Sequence, residues 1–131
     1  MQSNLHKNIS EHNNVILKLL SQTSNLNKII NIIYKKINLG GKILLCGNGG
    51  SAADAQHLAA EFLIRLRPKV NRHPIPAISL CTDTSMLTAC GNDYKFEDIF
   101  LRPFKALSKK NDILLAISTS GNSKNIIKVL N

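Results

Sequence analysis

His57 and Glu61 stand four residues apart, so on a helix they project from one face, one turn from each other. Such a pair can share a divalent metal ion, and the carboxylate can act as a general base. The same spacing also suits a plain surface hydrogen bond. Just upstream, Gly47-Asn48-Gly49-Gly50 forms a glycine-rich turn whose backbone N–H groups can approach an anion closely. Ser51 can cap the helix that follows, and its free N–H groups and dipole favour a phosphate. A tight strand-to-helix connection would need the same glycines. Position separates these readings, because ligands in open α/β sheets collect at the C-terminal ends of strands.

A second polar stretch, Ser118-Thr119-Ser120-Gly121-Asn122-Ser123, sets four hydroxyl side chains around one glycine ahead of a helical run. Short donors, free N–H groups and little bulk are what a phosphate monoester requires, whereas an N-cap alone would use a single hydroxyl. Gly91-Asn92-Asp93 reads from its residues as a turn.

The elements that must position these groups follow from periodicity. Gly41 to Cys46 is a short apolar run bounded by glycines, and Ala77–Leu80 and Asp112–Ile117 are two more, all reading as buried parallel strands. The spacing predicts an amphipathic helix from about Leu5 to Leu20. A second, isoleucine-rich helix, capped by Ser24 or Asn25, ends at Gly40-Gly41. Arg67-Pro68 stops the helix carrying His57 and Glu61, and His73, in the loop beyond, is given no role. A short helix is predicted over Met86–Ala89, interrupted by Gly91-Asn92-Asp93, and another from Phe96 to Leu107 despite Pro103. Alternating strands and helices with short loops give right-handed crossovers and a parallel sheet.

CGNGGSAADAQHLAAEF, beginning at Cys46, resembles the signature of the phosphoheptose isomerases, a family of the SIS (sugar isomerase) fold. Gly91-Asn92-Asp93 and Ser118 to Ser123 are similar to the family's pattern in the same order. The resemblance implies a three-layer α/β/α sandwich with a parallel sheet and two N-terminal helices. It divides one SIS domain, 1–131, into N-terminal helices (1–39) and a βαβ core (40–131). It implies isomerisation of sedoheptulose 7-phosphate to D-glycero-D-manno-heptose 7-phosphate through an enediolate, early in ADP-heptose synthesis. Glu61 would then be the base and, with His57, a ligand of one zinc ion per subunit. Asn48, Gly49, Gly50, Ser51, Asn92 and Asp93 would meet the sugar, and Ser118, Thr119, Ser120 and Ser123 its phosphate. Asp54 and Arg65 are lesser candidates for orienting the substrate.

The family pattern also includes a Gln and a His, completing the zinc site, from a C-terminal part to which nothing here corresponds. The chain is therefore expected to be a fragment with little turnover by itself. A homotetramer is the expected assembly. A non-catalytic SIS-fold adaptor or regulator, such as the paralogue that binds a replication initiator, is the alternative, and Glu61 with His57 argues against it.

A net charge of +9 would suit nucleic acid, but the cations are scattered and only 5% of residues are aromatic, leaving no stacking platform. The positive field serves solubility and attraction of an anionic substrate instead. Cys46, Cys81 and Cys90 lack paired metal spacing and read as reduced core thiols, which with the polar N-terminus predicts a cytoplasmic protein. No apolar run approaches the roughly 20 residues needed to span a bilayer.

Overall fold

The structure is a computed structural model and describes residues 2–131. The chain divides into two compact units, with the boundary at Lys35 and Lys36 inside the second helix. In the first unit, α1 (Gln2–Lys18) passes through a 3-10 turn, Leu19–Gln22, into α2 (Thr23–Asn38). Ser24 and Asn25 therefore sit inside the first turn of α2 and do not cap it. The 3-10 turn makes a cap unnecessary, since the Thr23 N–H already donates to the Leu20 carbonyl. None of the described residues of α2 is buried, and Ile29, Ile30 and Ile32 are each more than half exposed.

The second unit is built on three parallel strands, β1 (Ile43–Gly47), β2 (Ala77–Ser79) and β3 (Ile113–Ile117), in the spatial order β2-β1-β3. β1 is central and buried along its whole length. Its apolar run is unbroken because a strand covered on both faces has no solvent side to alternate with. Ile43 stands opposite Ala77 on one side and Ile113 on the other. The ends where β1 and β3 begin are pinned together by Asp112. Its carboxylate accepts from the Lys42 N–H at 2.9 Å and the Lys109 N–H at 2.7 Å, and pairs with the Lys42 ammonium. Burial would raise the pKa of this carboxyl, but the hydrogen bonds and charge of Lys42, with the Lys109 N–H, hold it below the usual carboxylate range.

α3 (Gly50–Leu63) packs on the sheet through Ala55 and Ala59, small residues that let helix and strands approach closely. It ends at Leu63, ahead of Arg67-Pro68. α4 (Thr84–Asp93) is capped by Asp83, whose carboxylate accepts from the Met86 N–H at 2.9 Å. Here the sequence expectation is corrected: Gly91-Asn92-Asp93 does not interrupt a helix but forms the last turn of α4. The turn-prone residues are tolerated there because all three are exposed while Cys90 alone anchors the helix end. Phe96–Asp98 is a 3-10 turn, and α5 (Leu101–Leu107) carries Pro103 in its first turn, where a missing N–H breaks no helical bond. α6 (Lys124–Leu130) buries Asn125, Ile126 and Val129. No helix among the described residues is long and apolar enough to cross a membrane.

Candidate functional site

The strand order makes the site. From β1 the chain crosses to β2 on one side, then returns past β1 to β3 on the other, so the turns leaving β1 and β3 diverge at a switch point. A crevice opens at the C-terminal ends of strands where connections part in this way. A cleft of about 540 Å³ is found there, lined by Asn48, Gly49, Phe96, Glu97, Ser123, Lys124 and Asn125.

The first wall is the turn after β1. Gly47 has no room for a side chain, because a Cβ there would press on the Ser51 backbone. Its carbonyl accepts from the Cys81 thiol at 3.4 Å. Gly49 adopts φ 56°, ψ −122°, a conformation open to glycine, and stands as the N-cap of α3. Ser51 accordingly falls within the first turn of α3 and supplies no cap hydrogen bond, contrary to expectation. Glycine wins the cap position because only it can make the reversal that points the chain from strand into helix. Cys46, at the end of β1, has its thiol pushed up to about 12 by burial and then by neighbouring Cys81, so it stays protonated and unreactive.

The second wall is the turn after β3. The Ser118 hydroxyl accepts from the Gly121 N–H at 3.1 Å, and the Ser120 hydroxyl accepts from the Asn122 N–H at 3.1 Å. Each hydroxyl keeps its own proton to donate outward. Gly121 has φ 66°, Thr119 is exposed, and Ser123 is half-buried at the start of α6.

His57 and Glu61 occupy one face of α3, with His57 Nε2 at 3.6 Å from Glu61 Oε1. His57 is largely exposed, whereas Glu61 is mostly covered and its Oε2 is buried without a hydrogen-bond partner. A buried carboxylate oxygen with no partner is what a metal ligand looks like before its metal, so the pair fits a divalent cation as two of its ligands. Among the described residues, no group of three or more His, Cys, Asp and Glu gathers around a common point. Gly50 opens α3 and Glu61 stands eleven residues further on, about 16 Å along the axis, and the cleft lining includes neither His57 nor Glu61.

Asn92 and Asp93 stand apart from that cleft. Asn92 donates to the Asp93 carboxylate at 2.8 Å, and Asp93 lines a separate open cleft of about 870 Å³ with Asp83, Tyr94 and Arg102. Asp54 is exposed, and the Arg65 guanidinium donates to the Pro68 carbonyl at 2.9 Å.

Two contributors escaped the sequence reading. Arg72, in the loop after α3, donates to the Glu61, Phe62 and His73 carbonyls, tying down the end of the helix that carries Glu61. Asn125 pairs with Asn48 across the cleft floor, each side-chain amide donating to the other at 2.9 and 2.8 Å. Neither an arginine in a proline-containing loop nor an asparagine in a helix's first turn carries a local signal for such a role.

The chain belongs to the SIS-domain family, whose family model matches residues 9–131. Among curated proteins it is similar to the phosphoheptose isomerase of Aliarcobacter butzleri, 48% identical over 99% of this chain and 68% of the relative. That of Campylobacter concisus is 48% identical over 95% of this chain and 61% of the relative. The chain spans only 47% of the phosphoheptose isomerase of Chlorobaculum parvum, to which it is 62% identical over 76% of its own length. The solved phosphoheptose isomerase of Neisseria gonorrhoeae superimposes with a TM-score of 0.88 at 38% identity, covering 98% of this chain and 66% of that one. That of Francisella tularensis gives 0.82 at 34% identity, over 97% and 68% of the respective chains. The α/β fold expected from the sequence is the one observed.

Proposed function

We propose that this chain carries the site of an aldose–ketose isomerase acting on sedoheptulose 7-phosphate, producing D-glycero-D-manno-heptose 7-phosphate for ADP-heptose synthesis. The observation that carries this reading is the cleft at the switch point, where the turns after β1 and β3 face one another across Asn48, Gly49 and Ser123. Ser118, Thr119, Ser120 and Ser123 hold the phosphate. Asn48, Gly49, Gly50 and Ser51 line the sugar, whereas Asn92 and Asp93, which stand apart from this cleft, are left without a contact in it.

A base must remove a proton from C1 of the ketose, and the resulting enediolate is reprotonated on C2, leaving the aldehyde at C1. Glu61 is the base. Its carboxylate is mostly withdrawn from solvent, and Arg72 holds the backbone at the end of the helix that carries it by donating to the Glu61 carbonyl. His57 and Glu61 would hold zinc, which when bound supplies Lewis-acid stabilisation of the oxyanion. The exposed isoleucines of α2 support a homotetramer, and three buried free cysteines support a cytoplasmic location. The curated relatives named above are isomerases, which does not favour the adaptor reading.

The test is titration of the chain with sedoheptulose 7-phosphate and with inorganic phosphate, followed by NMR of the sugar. Tighter binding of the sugar phosphate than of inorganic phosphate, with little turnover by this chain alone and none in Glu61→Gln while binding persists, is the expected result. Equal affinity for the two anions would overturn the substrate assignment, and residual turnover unchanged in Glu61→Gln would remove Glu61 as the base.

A further inference from the structure

Asn125 is buried to 3% exposure, yet its neighbours in α6 on the buried side, Ile126 and Val129, are apolar and would anchor the helix unaided. A buried amide costs stability unless its bonding groups are met, and those of Asn125 are directed at one residue. Its Nδ2 donates to Asn48 Oδ1 at 2.8 Å, and its Oδ1 accepts from Asn48 Nδ2 at 2.9 Å. The two residues are 77 positions apart and come from the opposite walls of the cleft. A reciprocal amide pair is planar and two-pronged, so neither amide can rotate alone without opposing like atoms. It uses one donor and one lone pair of each side chain, leaving Asn48 a second N–H to offer a ligand oxygen.

We infer that Asn125 is a positioning residue: through Asn48 it fixes the sugar-facing turn against the phosphate-facing turn, so that one ligand can engage both. This rests on the isomerase reading of the site. Asn125 does not itself hold the phosphate. Its loss should therefore leave a ligand that uses only the second turn unaffected, and weaken one that must span both.

The experiment uses the full ¹⁵N-labelled chain, with inorganic phosphate and sedoheptulose 7-phosphate as probes. Asn125→Ala is expected to weaken sugar-phosphate binding about tenfold while phosphate affinity stays within about twofold, the loss of one buried hydrogen-bonded partner. The double variant with Asn48→Ala should bind no more weakly than Asn48→Ala alone, because both substitutions remove the same contact. The Asn48 side-chain N–H proton bonded to Asn125 should exchange slowly with water in the unaltered chain and rapidly in Asn125→Ala, with the amide signals of β1 and β3 unchanged. If Asn125→Ala does not fold, Asn125→Leu carries the comparison, since it keeps the shape without charge and lacks both bonding groups. Equal weakening of both ligands, multiplicative losses in the double variant, or free exchange of both Asn48 side-chain N–H protons in the unaltered chain would each overturn the inference. Should the unaltered chain bind the two probes equally, the isomerase reading falls, while the exchange of the Asn48 amide still judges the role of Asn125.

Discussion

The turns after β1 and β3 occupy equivalent places, each leading from a parallel strand into a helix at the same cleft, but they are made from different materials. The first is made by absence. Gly47 leaves space that the Ser51 backbone fills, and Gly49 takes a dihedral that side chains reject. The second is made by presence, its shape held by the hydroxyls of Ser118 and Ser120 bonded to its own N–H groups. The strands differ accordingly, β1 being buried throughout and β3 half-exposed along its length. Gly47, where the chain leaves the buried central strand, has no room for a side chain, whereas the turn after the edge strand is built from side chains. The first turn should therefore break when atoms are added, and the second when atoms are removed.

Asp112→Ala should remove the pin at the foot of both strands and so damage both turns alike. Breaking an ion pair whose acid is 4% exposed is expected to cost about 4 kcal/mol in urea unfolding. The same carboxylate sets a pH dependence. Its folded pKa is depressed, so its stabilising contribution is complete above the unfolded value of about 4 and is lost as pH falls through the folded value. An acid titration of stability should lose this component in Asp112→Asn.

Gly47→Ala, which adds one carbon against the Ser51 backbone, should cost about 3 kcal/mol. Gly50→Ala, where nothing approaches within 4 Å, should be neutral or stabilise by about 0.5 kcal/mol. Equal effects of the two substitutions would refute the first half of the comparison.

Ser118→Ala tests the second half. Freeing the Gly121 N–H of its partner on an exposed turn should cost about 1 kcal/mol and weaken binding of inorganic phosphate, read by calorimetry. Ser118→Gly should be worse than Ser118→Ala, since it adds backbone freedom to the same lost bond. The smallest effect is chemical: Cys46 should resist iodoacetamide in the native chain at neutral pH and react only on unfolding.

Much of this arrangement could be read from the residues. β1 and β3 were legible because Ile43–Cys46 and Ile113–Ile117 are unbroken apolar runs ending in turn residues, and the helix from Gly50 followed from what a glycine turn must lead into. Strand order was not legible, since the crossing from β2 back past β1 leaves no trace in local pattern. The end of α4 was misread because Gly91, Asn92 and Asp93 each favour turns individually, and only the burial of Cys90 beside them explains the helix. Within the site, residues with local chemistry were visible. Asn125 and Arg72, which act on Asn48 and on the end of the Glu61 helix from a distance in sequence, were not.

The pairing of β1 with β3 also bears on how the chain reaches this structure. Lys42 and Asp112 are 70 residues apart, so the contact that closes the sheet requires a long loop to be drawn in, a slow step relative to helix formation. During synthesis from the N-terminus, β1 and β2 emerge first, and one flank of the most apolar strand waits unpaired until β3 arrives. The cleft forms only once β3 has paired with β1, and in the interval before that the open flank of β1 is prone to aggregate.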